Sequence, residues 1–352
     1  MVTASSSQPL SASSRPSREP LRFLSAFAIS LILLVLVLFA AVTATDPSRY
    51  FFGSPVPQIW PNNLRVKVEF FRKFAADGKV TGLLLGSSRC GILEPEQADR
   101  MTGLRFFNAC VYDASTDSML ALYRFFRRPA GPPEMIVVGI DTFLLRAGAE
   151  PSQDLKGNYE LSRQLEPGLL PLWHYARLYP HYLRFQTFTD LGTSLRNWAS
   201  PKPPIDRFRP DGSLMASVES PARGPAGISP PEIEKLMVQY RAEFQSLSPG
   251  RLDRLRSLLS EASADGARIV LWITPVHPAL RAAIDRVPSL ASAEREARRA
   301  IAQLAVLYRA RLFDLSGPDS YGGDPAGWVD PVHPGLPDAR KELGLLLGQA
   351  QN

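Results

Sequence analysis

Apolar positions fall into two regimes along the chain. Residues Phe23 to Thr45 run without a charge for 23 residues, FLSAFAISLILLVLVLFAAVTAT. At about 1.5 Å per residue such a helix spans about 34 Å, enough to cross a hydrocarbon core. Beyond it, short apolar runs alternate with stretches whose apolar residues recur at helical spacing. The runs Val80–Leu85, Leu104–Ala109, Met135–Ile140, Arg268–Thr274 and Leu312–Leu315 predict five strands. Helices are predicted over 63–76, starting near Asn62, over 115–127 with Ser115 or Thr116 as N-cap, over 252–264, over 291–309, and after Pro337. In 252–264, Leu252, Leu255, Leu258 and Leu259 share one side. Strands apolar on both faces, with helices between them, predict an α/β fold whose parallel sheet is covered on both sides. The stretch at about 150–245 breaks this rhythm with an aromatic segment (PLWHYARLYPHYLRF) and a Pro-rich run. It reads as an insertion partly covering one end of the sheet.

Charge sets the topology. Arg15, Arg18 and Arg22 precede the uncharged run, and Asp46 and Arg49 follow it. The positive-inside rule places the N-terminus in the cytoplasm and residues 46–352 outside it, as one extracytoplasmic domain. Residues 1–22 read as a disordered Ser/Pro-rich tail and 23–45 as a single-pass anchor. The rival is a cleaved signal peptide with Val42-Thr43-Ala44 as cleavage site, although a signal core usually has only about 7–15 residues. Net charge is +6 over 352 residues and no Lys/Arg run exceeds two, which excludes a nucleic-acid stripe.

The candidate chemistry sits at strand ends. Gly86-Ser87-Ser88-Arg89-Cys90-Gly91 follows the first strand, where open parallel sheets bind ligands. A serine there is a nucleophile only if a base reaches it; otherwise the small residues are simply a turn. Near the C-terminus stands Asp330-Pro331-Val332-His333-Pro334. An Asp and a His three apart in a tight turn can fix the imidazole tautomer and free one ring nitrogen as a base. The bland alternative is a capping Asp330 and a surface His333. His277 also follows a strand but has no carboxylate near it in sequence, which suits a substrate-side or structural role. Cys90 and Cys110 either bridge in an oxidising compartment or are two buried thiols. The scattered histidines 174, 181, 277 and 333 make a metal site improbable.

Taken together, a strand followed by Gly-Ser-Ser and a late Asp-x-x-His resemble the SGNH (GDSL-type) hydrolase superfamily. GSSRCGILEP, FFNACVYDAS and MIVVGIDTF look like its membrane-anchored extracytoplasmic branch, which includes alginate O-acetyltransferase proteins and the D-alanyl transfer protein of teichoic acids. The resemblance covers roughly residues 80–145 and 265–345. It implies a flavodoxin-like three-layer sheet, no cofactor, Ser88 as nucleophile, His333 as base and Asp330 as its orienter. It further implies a bacterial inner-membrane protein with its catalytic domain in the periplasm or outside, a glycan substrate, and a membrane-bound O-acyltransferase as acyl-donating partner.

The chain departs from that family at three places. Ser87 stands before the nucleophile where Asp is usual. Asp113 or Ala114 replaces the second-block glycine, whose N–H is an oxyanion donor. The third-block Asn is not found, and Asp141 stands nearest to it. A carboxylate facing an oxyanion would oppose catalysis, so either Asp141 points elsewhere, with Thr142 or Arg89 assisting, or the oxyanion hole is weak. The leading expectation is a serine acyl esterase or O-acyltransferase acting on acyl, foremost acetyl, groups of a cell-surface glycan. The alternative is a non-catalytic glycan-binding or assembly protein using the same cleft. An exported lipase ranks third, since no long apolar lid helix supports it.

Overall fold

The computed structural model describes residues 19–45, 62–148, 152–182, 189–192, 195–196, 199–200, 208–215 and 228–348. The tail before residue 19 and most of the Pro-rich run lie outside the described residues. Five parallel strands form one sheet: β1 (Gly82–Leu85), β2 (Phe106–Asn108), β3 (Met135–Ile140), β4 (Arg268–Ile273) and β5 (Arg311–Asp314), in the order β2-β1-β3-β4-β5. The helices are α1 (Glu19–Thr45), α2 (Asn63–Ala76), α3 (Pro95–Thr102), α4 (Thr116–Ala130), α5 (Gln153–Lys156), α6 (Tyr159–Leu165), α7 (Pro171–Tyr182), α8 (Pro230–Glu243), α9 (Pro249–Ala264), α10 (Pro278–Asp285), α11 (Pro288–Leu307) and α12 (Leu336–Gly348).

The strands are apolar throughout because both faces are covered. Ile136, Val138 and Ile140 of β3 enter one core with Leu83 and Leu85 of β1, Ile269 and Leu271 of β4, and residues of α2, α4, α9 and α11. The alternate residues Met135 and Val137 join Leu84, Val270 and Trp272 in a second core against α3 and α12. Period-2 alternation thus divides one apolar run between two helical layers. Asn62 caps α2 through its side chain, which accepts from the Arg65 N–H, and Ser115 caps α4 by accepting from Ser118.

β1 and β2 are shorter than the predicted Val80–Leu85 and Leu104–Ala109. β1 starts at Gly82 because the Arg105 carbonyl takes the Thr81 and Gly82 N–H groups at the strand's entry. β2 ends at Asn108, whose N–H donates to the Asp211 carbonyl. α6 packs on α4, within the helical layer, and a short hairpin bridged at Phe208 and Leu214 lies along β2 and the loop after β1, with Leu214 N–H donating to Gly91. Lys67 of α2 pins that hairpin from beneath: fully buried, it donates to the Asn108 and Gly212 carbonyls and lies over the Phe208 ring. Burial pushes its ammonium well below the usual lysine range, with Asp211 opposing.

Helix α1 is exposed along its apolar length and is long and apolar enough, over Arg22–Thr43, to cross a membrane. Its C-terminal end touches the rest of the chain: Val42 is buried against Leu178 of α7 and Leu191, with Ala41 and Tyr175 beside them.

Candidate functional site

The strand order reverses between β1 and β3, so their C-terminal ends open a crevice where connecting chains diverge to opposite faces. β1 runs into Gly86, whose φ of +152° lies in glycine's range. A Cβ there would sit 2.8 Å from the Gly139 carbonyl oxygen of β3 and against Cys90 Sγ. The chain then turns in a single helical turn over Ser88–Cys90. Ser87, buried at its start, accepts from the Arg89 N–H and caps the turn. That leaves Ser88, half-buried, as the serine presented to the crevice.

Ser88 meets the late Asp-x-x-His turn. Its Oγ lies 2.7 Å from His333 Nε2, and His333 Nδ1 lies 2.6 Å from Asp330 Oδ2. The other Asp330 oxygen accepts from the Val332 N–H (2.8 Å) and the His333 N–H (2.9 Å), which closes the turn on its own carboxylate. Burial works against ionisation of Asp330, but the His333 ring and these two N–H groups outweigh it and hold the carboxyl below its ordinary range. An ionised Asp330 must accept from Nδ1–H, so Nε2 is left with a lone pair facing the Ser88 hydroxyl. Residues 245 positions apart thereby form the hydrogen-bonded chain Ser88–His333–Asp330.

His277 supports this turn from behind. Its backbone N–H donates to the Pro331 carbonyl (2.9 Å), its Nδ1 accepts from the Ala279 N–H at the start of α10, and its ring meets buried Trp328 edge-on. The structure therefore gives His277 a framework position, with its ring nitrogen turned to α10.

Arg89, Asp141 and Thr142 are all buried. Arg89 pairs with Asp141 (3.5 Å) and donates to the Thr274 hydroxyl (3.1 Å) and the Tyr240 hydroxyl (3.3 Å). Thr274 in turn donates to Asp141 at 2.5 Å. Burial opposes the guanidinium charge, but Asp141, Tyr240 and Glu294 outweigh it and raise the Arg89 pKa. The Asp141 carboxylate is thus neutralised by Arg89. Thr142 donates to buried Glu294 (2.9 Å), which Arg281 and Arg298 also bind.

The Ser88 N–H, at the start of the turn, has no acceptor among the described residues. Of the two positions considered for the second-block glycine, Asp113 adopts the left-handed conformation, at φ +47°. Its peptide turns the chain into buried Ala114 and the α4 cap.

Cys90 and Cys110 are joined in a disulfide, which ties the serine loop to the loop after β2. Sequence reasoning missed Asn108 because it reads as one polar residue in an apolar run. Fully buried, Asn108 donates to the carbonyls of Cys90, Gly91 and Leu93 and accepts from the Cys110 N–H. It also missed Tyr240 and Glu294, which reach the site only through tertiary packing of α8 and α11.

No cluster of His, Cys, Asp and Glu able to hold a metal ion occurs among the described residues. The chain matches no protein-family model and no curated protein.

Proposed function

We propose that the chain is a membrane-anchored serine acyl esterase or O-acyltransferase that moves acetyl groups on a cell-surface glycan. The observation carrying this reading is the hydrogen-bonded chain Ser88–His333–Asp330 at the C-terminal edge of a parallel sheet. Ser88 Oγ attacks the ester carbonyl while His333 Nε2 takes its proton. The Asp330 carboxylate stabilises the imidazolium that forms and keeps its own charge. The tetrahedral intermediate collapses, the C–O bond to the alcohol breaks, and His333 returns the proton to that leaving oxygen. Water or a glycan hydroxyl then gives a proton to His333 and attacks the acyl-Ser88; the acyl C–Oγ bond breaks and His333 returns the proton to Ser88 Oγ. The free Ser88 N–H suits the oxyanion that develops, and the family resemblance would add the Ala114 N–H.

Strand order β2-β1-β3-β4-β5 is the order of flavodoxin-like sheets, which supports the SGNH-type reading. The long apolar helix and its preceding arginines support an inner-membrane anchor with the domain outside the cytoplasm, and the disulfide fits an oxidising compartment. A membrane-bound O-acyltransferase as acyl donor rests on the family resemblance.

The test is hydrolysis of an activated acetyl ester by the full chain in detergent. Ser88→Ala, His333→Ala and Asp330→Ala should each lower turnover steeply, Ser88→Ala by at least about a thousandfold. Because the three act as one unit, Ser88→Ala/His333→Ala should be little worse than either single. Ser87→Ala should retain most activity. If the wild type turns over no faster than Ser88→Ala while still binding glycan, the enzyme reading gives way to a glycan-binding protein.

A further inference from the structure

Helix α7 has two faces. His174 and Leu178 are buried on one, toward α4, α6 and α9. Leu172, Trp173 and Ala176 lie on the opposite face, exposed; Leu172 is 75% and Trp173 62% accessible, with Leu170 just before the helix at 58%. Elsewhere, outside α1, large exposed apolar side chains are confined to Leu195, Val238 and the Val306–Leu307 pair among the described residues. An apolar ridge headed by a tryptophan is what a water-facing helix avoids and a membrane-interface helix uses.

The same helix receives the end of α1. Val42, one residue from the end of the apolar span at Thr43, is buried against Leu178, and Tyr175 flanks that contact. The lipid surface through which α1 leaves therefore lies beside α7. Arg177 of the same helix is exposed and paired with Glu166 at 3.0 Å, a cation next to this surface that is suited to lipid phosphates.

We propose that α7 is an interfacial helix: Leu170, Leu172 and Trp173 enter the headgroup region of the leaflet in which α1 ends. The proposal rests on reading α1 as a membrane span. It fixes the domain against the bilayer at a second point, so that the domain has a set orientation over the surface. An apolar helix face of this kind sits about 5–10 Å into the headgroup and acyl boundary.

Because Cys90 and Cys110 are bonded to each other, a cysteine introduced elsewhere is the sole free thiol. The full chain would be placed in nanodiscs with an environment-sensitive fluorophore on Leu172→Cys, on Leu33→Cys in α1, or on Val306→Cys, which is 82% exposed on α11. The label at 172 should lose emission to lipids brominated near the headgroup, the label at 33 chiefly to lipids brominated near the chain end, and the label at 306 to neither. Quenching at 33 with none at 172 overturns the interfacial helix and leaves the span intact. No quenching at 33 overturns the span itself. A label at 172 that is shielded from water yet unquenched by lipid overturns the proposal in favour of a protein contact. Each variant's melting curve confirms folding.

Discussion

Reduction of the Cys90–Cys110 disulfide should cost stability far more than turnover. The bridge closes a loop across a sequence separation of 20 residues that contains α3 and β2. Opening it returns loop-closure entropy of about 11 cal/mol/K to the unfolded chain, or about 3 kcal/mol near 25 °C. For a domain of roughly 300 residues, unfolding with about 2.1 cal/mol/K per residue, the melting temperature should fall by about 5 °C. The serine loop itself should hold, because Asn108 independently donates to the carbonyls of Cys90, Gly91 and Leu93. The assay compares oxidised protein, reduced protein and Cys90→Ala/Cys110→Ala by calorimetry, with acetyl-ester hydrolysis measured well below the melt. Asn108→Ala is the counterpart and should impair hydrolysis more than reduction does. If oxidised and reduced chains melt together, the entropic argument is refuted. If reduction abolishes turnover in a still-folded protein, the disulfide and not Asn108 holds the nucleophile loop.

Further predictions concern single residues. Gly86→Ala should destabilise the domain and lower turnover, since its Cβ would press on the Gly139 carbonyl at a φ of +152°; a melt and an ester assay on one preparation read both. Asp141→Asn leaves the buried Arg89 charge without its carboxylate and should cost about 3–5 kcal/mol in denaturant unfolding. Glu342, fully buried on α12 beside Tyr321 and Asp338, has its carboxyl raised well above the usual range, chiefly by burial. The folded state then holds a proton that the unfolded state has lost, so stability should fall by about 1.4 kcal/mol per pH unit between the ordinary carboxylate pKa and the raised one. Glu342→Gln should flatten that pH dependence and melt higher than wild type at neutral pH. An unchanged slope in the variant would remove Glu342 as the cause.

What could be read from sequence was local. β3 lies where its unbroken MIVVGI run predicts, and α2 begins after Asn62 because a polar cap followed by helical periodicity is a short-range signal. Ser88 and His277 were legible because they follow apolar strands, and Asp330 and His333 as a tight Asp-x-x-His turn, whereas Arg89, Asp141 and Thr142 were singled out only through the family resemblance. α3 was not legible: PEQADRMT has only eight residues and few apolar positions, so its helical state follows from packing Ala98 into the second core. Lys67 lies within a helix whose sequence carries no sign that this residue is buried. Its burial depends on the hairpin around Phe208 and Leu214, about 145 residues away, which no periodicity in α2 reports.

The Arg89 guanidinium bears on how this chain could be recombined. It contacts the ends of β3 and β4, through Asp141 and Thr274, and Tyr240 of α8, so one side chain fastens the sheet to the insertion. Tyr240 is itself clamped by stacking on Phe143 at 4.3 Å. A chimera that exchanges the segment at about 150–245 for a different one would carry away a hydrogen-bond acceptor from the residue next to Ser88. The insertion is therefore not a separable module: a graft needs Tyr240, or an equivalent hydroxyl, delivered to the same point, and shuffling breakpoints belong before α8, so that it stays with the chain that supplies Arg89.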